Sequence, residues 1–279
     1  MGLRIQNNVE AFNAHRQLTG TAAKAAKAME KLSSGYRVNR AADDAAGLAI
    51  SEKMRAQIGG LAQAQRNAQD AVSLVQTGEG ALNEVHSMLE RVRDLKVQYS
   101  SGVLSDEDKK AIAAEVQQLG KEVSDIASKT EFNGLKLLEG QSFTFTVGAN
   151  SADTVKIDTV TLSGTNGVTE LIDVGSAASL DAASGAFNSL SVDEIDTMIK
   201  NVSTMRSTFG AVQNRLEHRM ANLATYQENL VASESRIRDV DMASEMVNFT
   251  KLQILQQAGT SMLAQANQAP QGVLSLLRG

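Results

Sequence analysis

Apolar residues recur at helical spacings over most of the chain, and this pattern predicts long amphipathic helices. Between about Asp44 and Tyr99 they follow one another mainly at intervals of three, four or seven residues, which is the heptad pattern of one long helix. Similar spacings predict a helix over about residues 3–34, another that includes residues 112–126, and further helices from Ser191 onward.

Local signals mark where these helices begin and end. Ser105 and Asp108 have the spacing of a capping box, and Gly35 is placed to stop the first helix. The segment SESRIRDVD at 233–241 is expected to interrupt the C-terminal helical region. Pro270 is expected to kink or break the last helix, because proline lacks the N–H that a helix needs.

A different pattern fills the middle of the chain. Asn133-Gly134 is a two-residue hairpin turn, while SFTFTVG (142–148) and VKIDTVTL (155–162) alternate apolar and polar residues like short strands. Residues 163–190 are rich in Gly, Ser, Ala, Asp and Thr and are expected to be the least structured part. The fold class predicted is mainly α: an elongated antiparallel coiled-coil bundle of N- and C-terminal helices with a small β-hairpin region.

The terminal helices raise a question of stability. An amphipathic helix is stable in water only when its apolar face is packed. One pair of helices at the two ends of the chain offers little shared surface. We therefore expect the terminal segments to be disordered in a monomer and helical in an assembly with other subunits.

Composition narrows the classes of function. The sequence has 279 residues, with 27 basic and 32 acidic side chains, a net charge of -5 and no cysteine. The mixed charges argue against nucleic acid as the main partner, and without cysteine there can be no disulfide or thiolate metal site. No apolar run approaches the roughly 20 residues of a membrane span, so no membrane insertion is expected. The first thirty residues lack the apolar core of a signal peptide, and by these rules alone the chain would be cytoplasmic.

Candidate chemistry is confined to LSSGYRVNRAADDAAGLAI, residues 32–50. Asp43 and Asp44 could be a metal pair, but adjacent carboxylates diverge on a helix, and their placement at a helix start is favoured instead. Gly35, Arg37 and Arg40 lack the spacing of a phosphate loop. The two arginines are expected to pair with Asp43, Asp44 or a neighbouring chain. His15, His86 and His218 stand singly, so neither an enzyme nor a cofactor is predicted.

The helical stretch LERVRDLKVQ, residues 89–98, has two interpretations. Arg91, Arg93, Lys96 and Gln98 lie on its polar side. They could form a solvated face with Asp94 as an internal partner, or a binding face. Charge alone does not distinguish the two.

Several long motifs resemble bacterial flagellins, over roughly residues 1–140 and 190–279. These are KLSSGYRVNRAADDAAGLAISEKMRAQI, QRNAQDAVSLVQTGEGALNE, EFNGLKLL, GAVQNRLEH, SRIRDVDMASEM and ILQQAGTSMLAQANQAPQGVLSLLRG. The resemblance implies a self-assembling subunit of the flagellar filament.

The resemblance also implies a layered organisation. Residues 1–43 with 237–279 would form an inner coiled coil that lines the filament channel, and 44–140 with 191–236 an outer helical core. Residues 141–190 would be a short, surface-exposed β or loop region. The packing positions implied in the inner coiled coil are Leu3, Ile5, Val9, Phe12, Leu252, Leu255, Met262, Val273 and Leu277. The joint between the layers, which would also contact adjacent subunits, would contain Gly35, Arg37, Arg40, Asp43 and Asp44.

Location and partners are further implications of this resemblance. Flagellins are exported without a cleaved signal peptide to an extracellular filament, and this corrects the cytoplasmic expectation. The implied partners are further copies of the chain, an export chaperone on the C-terminal helix, a filament cap protein and hook–filament junction proteins. A junction protein of the same fold is the alternative identity, although such proteins usually match QQAGTSMLAQANQ poorly.

Many flagellins are ligands of Toll-like receptor 5, and the helix recognised in that group resembles LERVRDLKVQ. Arg91, Leu95 and Gln98 occupy the matching positions, and Glu115 on the next helix is a weaker match. Lys96 stands where the group usually has a small residue, which puts the potency of receptor activation in doubt.

Overall fold

The computed structural model describes residues 8–159, 161, 162 and 168–278, with side chains as far as residue 268. The elements in this part of the chain are α1 (Val9–Ser34), α2 (Ala45–Tyr99), α3 (Asp106–Lys129), β1 (Glu131–Phe132), β2 (Leu135–Lys136), β3 (Ser142–Thr146), β4 (Thr154–Asp158), α4 (Thr169–Ser176), α5 (Leu180–Ser189), α6 (Val192–Arg238) and α7 (Met242–Arg278). The mainly α fold with small hairpins is confirmed. Leu3 and Ile5 lie outside the described residues, as do the side chains of Val273 and Leu277.

The chain divides into two compact units. The terminal unit contains the chain up to Gln57 and from Glu228 onward, and the central unit spans Ile58–Gln227. None of the described helices is long and apolar enough to cross a membrane.

Two antiparallel helices, α1 and α7, make up most of the terminal unit. Asn8 Nδ2 donates to the Ala266 carbonyl oxygen at 2.7 Å, while Ala28, near the other end of α1, packs with Leu252 and Phe249 near the start of α7. The core of this helix pair is small, because alanines and few large side chains face each other. Burial within one chain therefore stabilises it little.

Local signals set the helix ends that the sequence predicts. Gly35 has a φ of 75°, a left-handed conformation that favours glycine, and its N–H donates to Lys31 O. At the start of α3, Ser105 Oγ accepts from Asp108 N and Ser105 N donates to Asp108 Oδ2. These bonds confirm the capping box.

The central unit holds the main hydrophobic core. Long apolar stripes of α2, α3 and α6 meet there, with side chains such as Leu82, Leu89, Val116 and Phe209 almost fully buried. α2 continues without a break through Gly78, where an added Cβ would lie 2.8 Å from the Phe209 ring. A glycine at that position lets the ring pack directly against the helix.

Both hairpins follow the sequence pattern. Asn133 and Gly134 have φ values of 51° and 76°, which a type I′ turn requires, and they join β1 to β2. β3 and β4 pair antiparallel, with Val155 and Ile157 buried on one face. The first predicted strand is confirmed over 142–146, and the second is confirmed only as far as Asp158, where β4 ends.

Residues 168–190 contradict the expectation of little structure. They form α4 and α5, which bury Leu171, Val174, Ala183 and Phe187 against the core. Small residues permit this packing, since Gly120 of α3 crosses α4 at close range. The region is therefore not a β or loop segment alone, and it contributes core side chains.

Two predicted helix interruptions are also wrong in extent. α6 continues to Arg238 and α7 begins at Met242, so only residues 239–241 interrupt the helical region. α7 also continues through Pro270, so the helix does not break there. A proline removes one helical hydrogen bond, which residues on both sides can tolerate when their own bonds persist.

Candidate functional site

Two chain connections meet in the terminal unit and form a joint. The α1–α2 connection and the α6–α7 connection are tied by an isolated antiparallel bridge between Tyr36 and Asp239. Arg37 N donates to Arg238 O at 2.6 Å, which adds a backbone hydrogen bond across the same pair of segments. Each connection therefore holds the other in place.

Arg238 is the central cation of this joint. Its guanidinium lies 4.7 Å from the centre of the Tyr36 ring, and Nη1 binds Glu52 Oε1 at 2.7 Å. The Arg238 side chain is 12% exposed, so it lies largely buried inside the joint. Arg37 Nη2 donates to Ile237 O at 2.7 Å and reinforces the same contact.

Asp43 closes the turn before α2 onto α1. Its carboxylate binds Lys27 Nζ at 2.6 Å and accepts from the backbone N–H groups of Arg40 and Asn39. The Lys27 ammonium and these N–H groups hold the pKa of Asp43 below its usual range. Since the charged form is favoured in the folded state, this contribution to stability is present above the unfolded pKa and is lost as the pH falls through the folded pKa.

Within one chain, Arg37 and Arg40 do not pair with the carboxylates of Asp43 and Asp44. Their pairing with a neighbouring chain stays a prediction. Arg37 binds a backbone carbonyl, and Arg40 Nε binds Glu30 Oε1 at 2.8 Å. The two aspartates have other partners. Lys27 Nζ forms an ion pair with Asp43, and the Gly47 N–H donates to Asp44 Oδ1 at 2.8 Å. Asp44 therefore lies at the start of α2, as the sequence indicated.

Most of the exposed large hydrophobic side chains belong to the terminal unit. Among the predicted inner packing positions, Leu252 is 8% exposed, whereas Val9, Phe12, Leu255 and Met262 are 47–71% exposed. A groove of about 500 Å³ on α7 is lined by Met246, Val247, Thr250, Lys251, Ile254 and Leu255. We call this surface of α1 and α7 the apolar face. Exposed apolar patches such as this groove are typical of surfaces that bind other proteins.

On α2, two arginines connect to neighbouring helices. Arg91 Nη2 binds Glu115 Oε1 of α3 at 2.8 Å, and Arg93 Nε binds Asp196 Oδ1 of α6 at 2.5 Å. The Asp196 carboxylate raises the pKa of Arg93. The expected partner of this stretch, Asp94, makes neither of these contacts.

The receptor candidates do not share one surface. Arg91, Gln98 and Glu115 are exposed, but Leu95 is 2% exposed and belongs to the core of the central unit. A heptad position that faces the core cannot also face a partner in the same conformation. Leu95 is therefore corrected from a contact residue to a core residue.

Lys96 is buried, although the sequence placed it on a polar face. Its ammonium donates to Phe187 O at 2.7 Å and to Asn188 O at 3.3 Å, at the end of α5. It also lies about 5 Å from the ring centres of Tyr99 and Phe187. Burial lowers the pKa of Lys96. Sequence reasoning missed this role because α5, which supplies the carbonyls, was not predicted.

These features define the class of the protein. Among the described residues, long-range contacts tie the joint between two chain connections. The helix pair of α1 and α7 has only a small core of its own and carries the apolar face. Among the described residues, no group of three or more His, Cys, Asp or Glu side chains could hold a metal ion. The molecule is a coiled-coil protein with an extensive surface for association.

Comparison with known proteins identifies the family. The model of the bacterial flagellin N-terminal helical region matches residues 5–142, and that of the C-terminal helical region matches residues 192–277. A flagellin of Halalkalibacterium halodurans is 51% identical over 98% of this chain and 99% of its own length, and a flagellin of Bacillus subtilis is 45% identical over 99% and 100%. The chain belongs to the bacterial flagellin family.

A solved structure supports the fold. A candidate flagellar hook-associated protein of Vibrio parahaemolyticus aligns with a TM-score of 0.59 at 17% identity, over 71% of this chain and 100% of that one. Flagellins are structural subunits that polymerise into extracellular flagellar filaments. The chain is accordingly a filament subunit and not an enzyme.

Proposed function

We propose that the chain polymerises through its terminal unit. Residues 1–43 with 237–279 form the inner coiled-coil layer that lines the channel, and residues 44–140 with 191–236 form the outer helical core. Residues 141–190 lie on the outer side of that core, with one side of α4 and α5 packed against it. The single observation that carries this proposal is the apolar face, whose side chains are exposed in one chain. Val9, Phe12, Leu255 and Met262 then pack against other subunits.

Electron microscopy of negatively stained protein tests this function. Purified monomers brought to high sulfate concentration, which favours burial of apolar surface, are expected to form long filaments. A hook–filament junction protein, the alternative identity, would not form long filaments. Failure to form filaments with added filament seeds would contradict the proposal.

The joint is proposed to set the relation between the layers and to contact adjacent subunits. Gly35 ends α1, Arg37 and Arg40 bind Ile237 O and Glu30, and Asp43 holds the turn through Lys27. Its rigidity would decide how subunits pack along the filament.

Asp43→Ala is expected to leave secretion intact and to weaken the filaments or alter their shape. The variant removes the ion pair with Lys27 and two hydrogen bonds that fix the turn. Filament length, waveform and thermal dissociation are the measurements. Arg40→Ala should act in the same direction, but less strongly, because the Arg40 side chain is 72% exposed whereas that of Asp43 is 11% exposed.

A matched control is Asp70→Ala, which removes an exposed carboxylate from α2 away from the joint. It should leave filament shape unchanged. Normal filaments and normal motility in both joint variants would contradict the role of the joint.

We also propose that the free subunit is recognised by Toll-like receptor 5 through the α2–α3 surface. Arg91 and Glu115 form an exposed ion pair, and Gln98 is exposed on α2. Leu95 supports this surface from the core. Lys96 does not obstruct it, because its side chain is buried.

Arg91→Ala is expected to abolish receptor activation at subunit concentrations that saturate the response to the native chain. The change leaves the fold intact, since an exposed ion pair contributes at most about 1 kcal/mol. The measurement is the dose response of a receptor reporter cell. Arg66→Ala, also exposed on α2, is the control and should retain activity. Equal dose responses for the native chain and Arg91→Ala would overturn the assignment.

The remaining proposed partners act during export and growth of the filament. An export chaperone would grip α7, whose groove offers an apolar surface next to Lys251. Export would occur without a cleaved signal peptide. A cap protein would insert subunits at the tip, and junction proteins would join the filament to the hook.

A further inference from the structure

The methionines of the chain are distributed unevenly between its two units. Among the methionines that the structure describes, the exposed ones all belong to the terminal unit: Met29, Met242, Met246 and Met262 are 47–66% exposed. Met198 and Met205 in the central core are 3% and 6% exposed. We call the first group the exposed methionines.

The exposed methionines lie on α1 and α7, the two helices that carry the apolar face. Met242 and Met246 are four residues apart and therefore neighbours on one side of α7. Met246 lines the 500 Å³ groove together with Ile254 and Leu255. Met262 is exposed further along α7, and Met29 is exposed on α1. About half or more of the surface of each of these residues is open to solvent in a single chain.

Methionine is also the only sulfur-containing residue type in this sequence, which has ten methionines and no cysteine. A peroxide transfers one oxygen atom to the thioether sulfur: the sulfur is oxidised by two electrons, the O–O bond breaks, and hydrogen peroxide leaves as water. The product, methionine sulfoxide, is polar and chiral, and it disrupts interfaces that contain methionine.

We propose that the exposed methionines are an oxidation site through which peroxides block polymerisation. The inference rests on the proposed assembly through the terminal unit. In a free subunit all four thioethers are accessible, and a sulfoxide must then be buried without a dedicated hydrogen-bond partner, which is unfavourable. Within a filament, neighbouring subunits cover the same sulfur atoms. Oxidation therefore affects subunits before assembly and not those already incorporated in a filament.

The experiment treats native monomers and preformed filaments with the same dose of hydrogen peroxide. Peptide mass spectrometry then gives the oxidised fraction of each methionine, with Met198 and Met205 as internal references for buried thioethers. Each monomer sample is next placed under polymerising conditions, and the critical concentration is measured by sedimentation. A portion of the oxidised monomer is first reduced with both stereospecific classes of methionine sulfoxide reductase.

In monomers we expect the exposed methionines to oxidise at least tenfold faster than Met198 and Met205, and the critical concentration to rise at least tenfold. Reduction should restore assembly. In filaments the four sites should oxidise at least tenfold more slowly than in monomers. A chain with M29L, M242L, M246L and M262L, which preserves apolar volume, should polymerise equally well before and after peroxide.

Two different failures can be distinguished. If the four sites are protected in filaments but oxidised monomers polymerise normally, the oxidation site is wrong and the proposed assembly surface stands. If they oxidise equally fast in filaments and monomers, the terminal unit is not covered and the proposed assembly surface fails as well. A loss of assembly by the leucine variant on peroxide treatment would also overturn the oxidation site, since the inhibition would then come from other residues.

Discussion

Ile254→Asp is expected to give a folded subunit that does not polymerise. Ile254 is 61% exposed in the single chain and lines the groove on α7. A carboxylate tolerates that environment in a monomer because water solvates it. In a covered interface the carboxylate would lose that water, which costs several kcal/mol even with Lys251 in the same groove. The critical concentration should therefore rise by a factor on the order of 100 or more.

Sedimentation of polymerised samples measures this effect, and circular dichroism checks the monomer. Val103→Asp is the matched control, because Val103 is 90% exposed in the turn between α2 and α3 of the central unit. It should polymerise at the native critical concentration. Normal polymerisation of Ile254→Asp would show that this part of the apolar face stays in contact with water.

Gly120→Ala should destabilise the central unit by about 2 kcal/mol, although alanine is the better helix former. A Cβ at Gly120 would lie 2.5 Å from Leu171 O and 3.0 Å from Gly175 Cα. Both neighbours are backbone atoms of α4, so relief requires the two helices to move apart. That movement would loosen the burial of Leu171 and Val174.

Gly185→Ala is the control, and it should raise the free energy of unfolding instead of lowering it. Gly185 lies within α5, and an added Cβ would meet nothing within 4 Å. This variant should gain up to about 1 kcal/mol from helix propensity. Denaturant unfolding followed by circular dichroism measures both variants. A stabilised Gly120→Ala chain would contradict the close crossing of α3 and α4.

The features predicted correctly from the sequence are those that depend on neighbouring residues. Ser105 and Asp108 form their capping box within one turn of the chain, and Asn133-Gly134 fixes the β1–β2 hairpin by its own backbone preferences. The heptad spacing of α2 likewise needs only its own segment. In each case the residues that determine the local structure are the same residues that form it.

Features that depend on distant packing could not be predicted in this way. α4 and α5 are short and rich in small residues, and burial of Leu171 and Phe187 against distant helices stabilises them. Lys96 looks like a surface residue until the end of α5 places two carbonyls beside it. In both cases tertiary contacts override the local pattern.

The residues of the joint also fall into those with local partners and those with distant partners. Gly35 and Asp44 act through neighbouring backbone, so the sequence indicates what they do. Arg238 remained unnoticed because its partners, Tyr36 and Glu52, are far away in the chain. No spacing rule connects residues that meet only after the chain has folded.

Amide hydrogen exchange of the same chain as monomer and as filament is the decisive test of assembly through the terminal unit. Because α1 and α7 share only a small core, their amides should exchange rapidly in the monomer. In the filament they should slow by at least 100-fold, while amides in the buried part of α2 should stay protected in both states. Full protection of α1 in a dilute monomer, or unchanged exchange on polymerisation, would contradict assembly through the terminal unit.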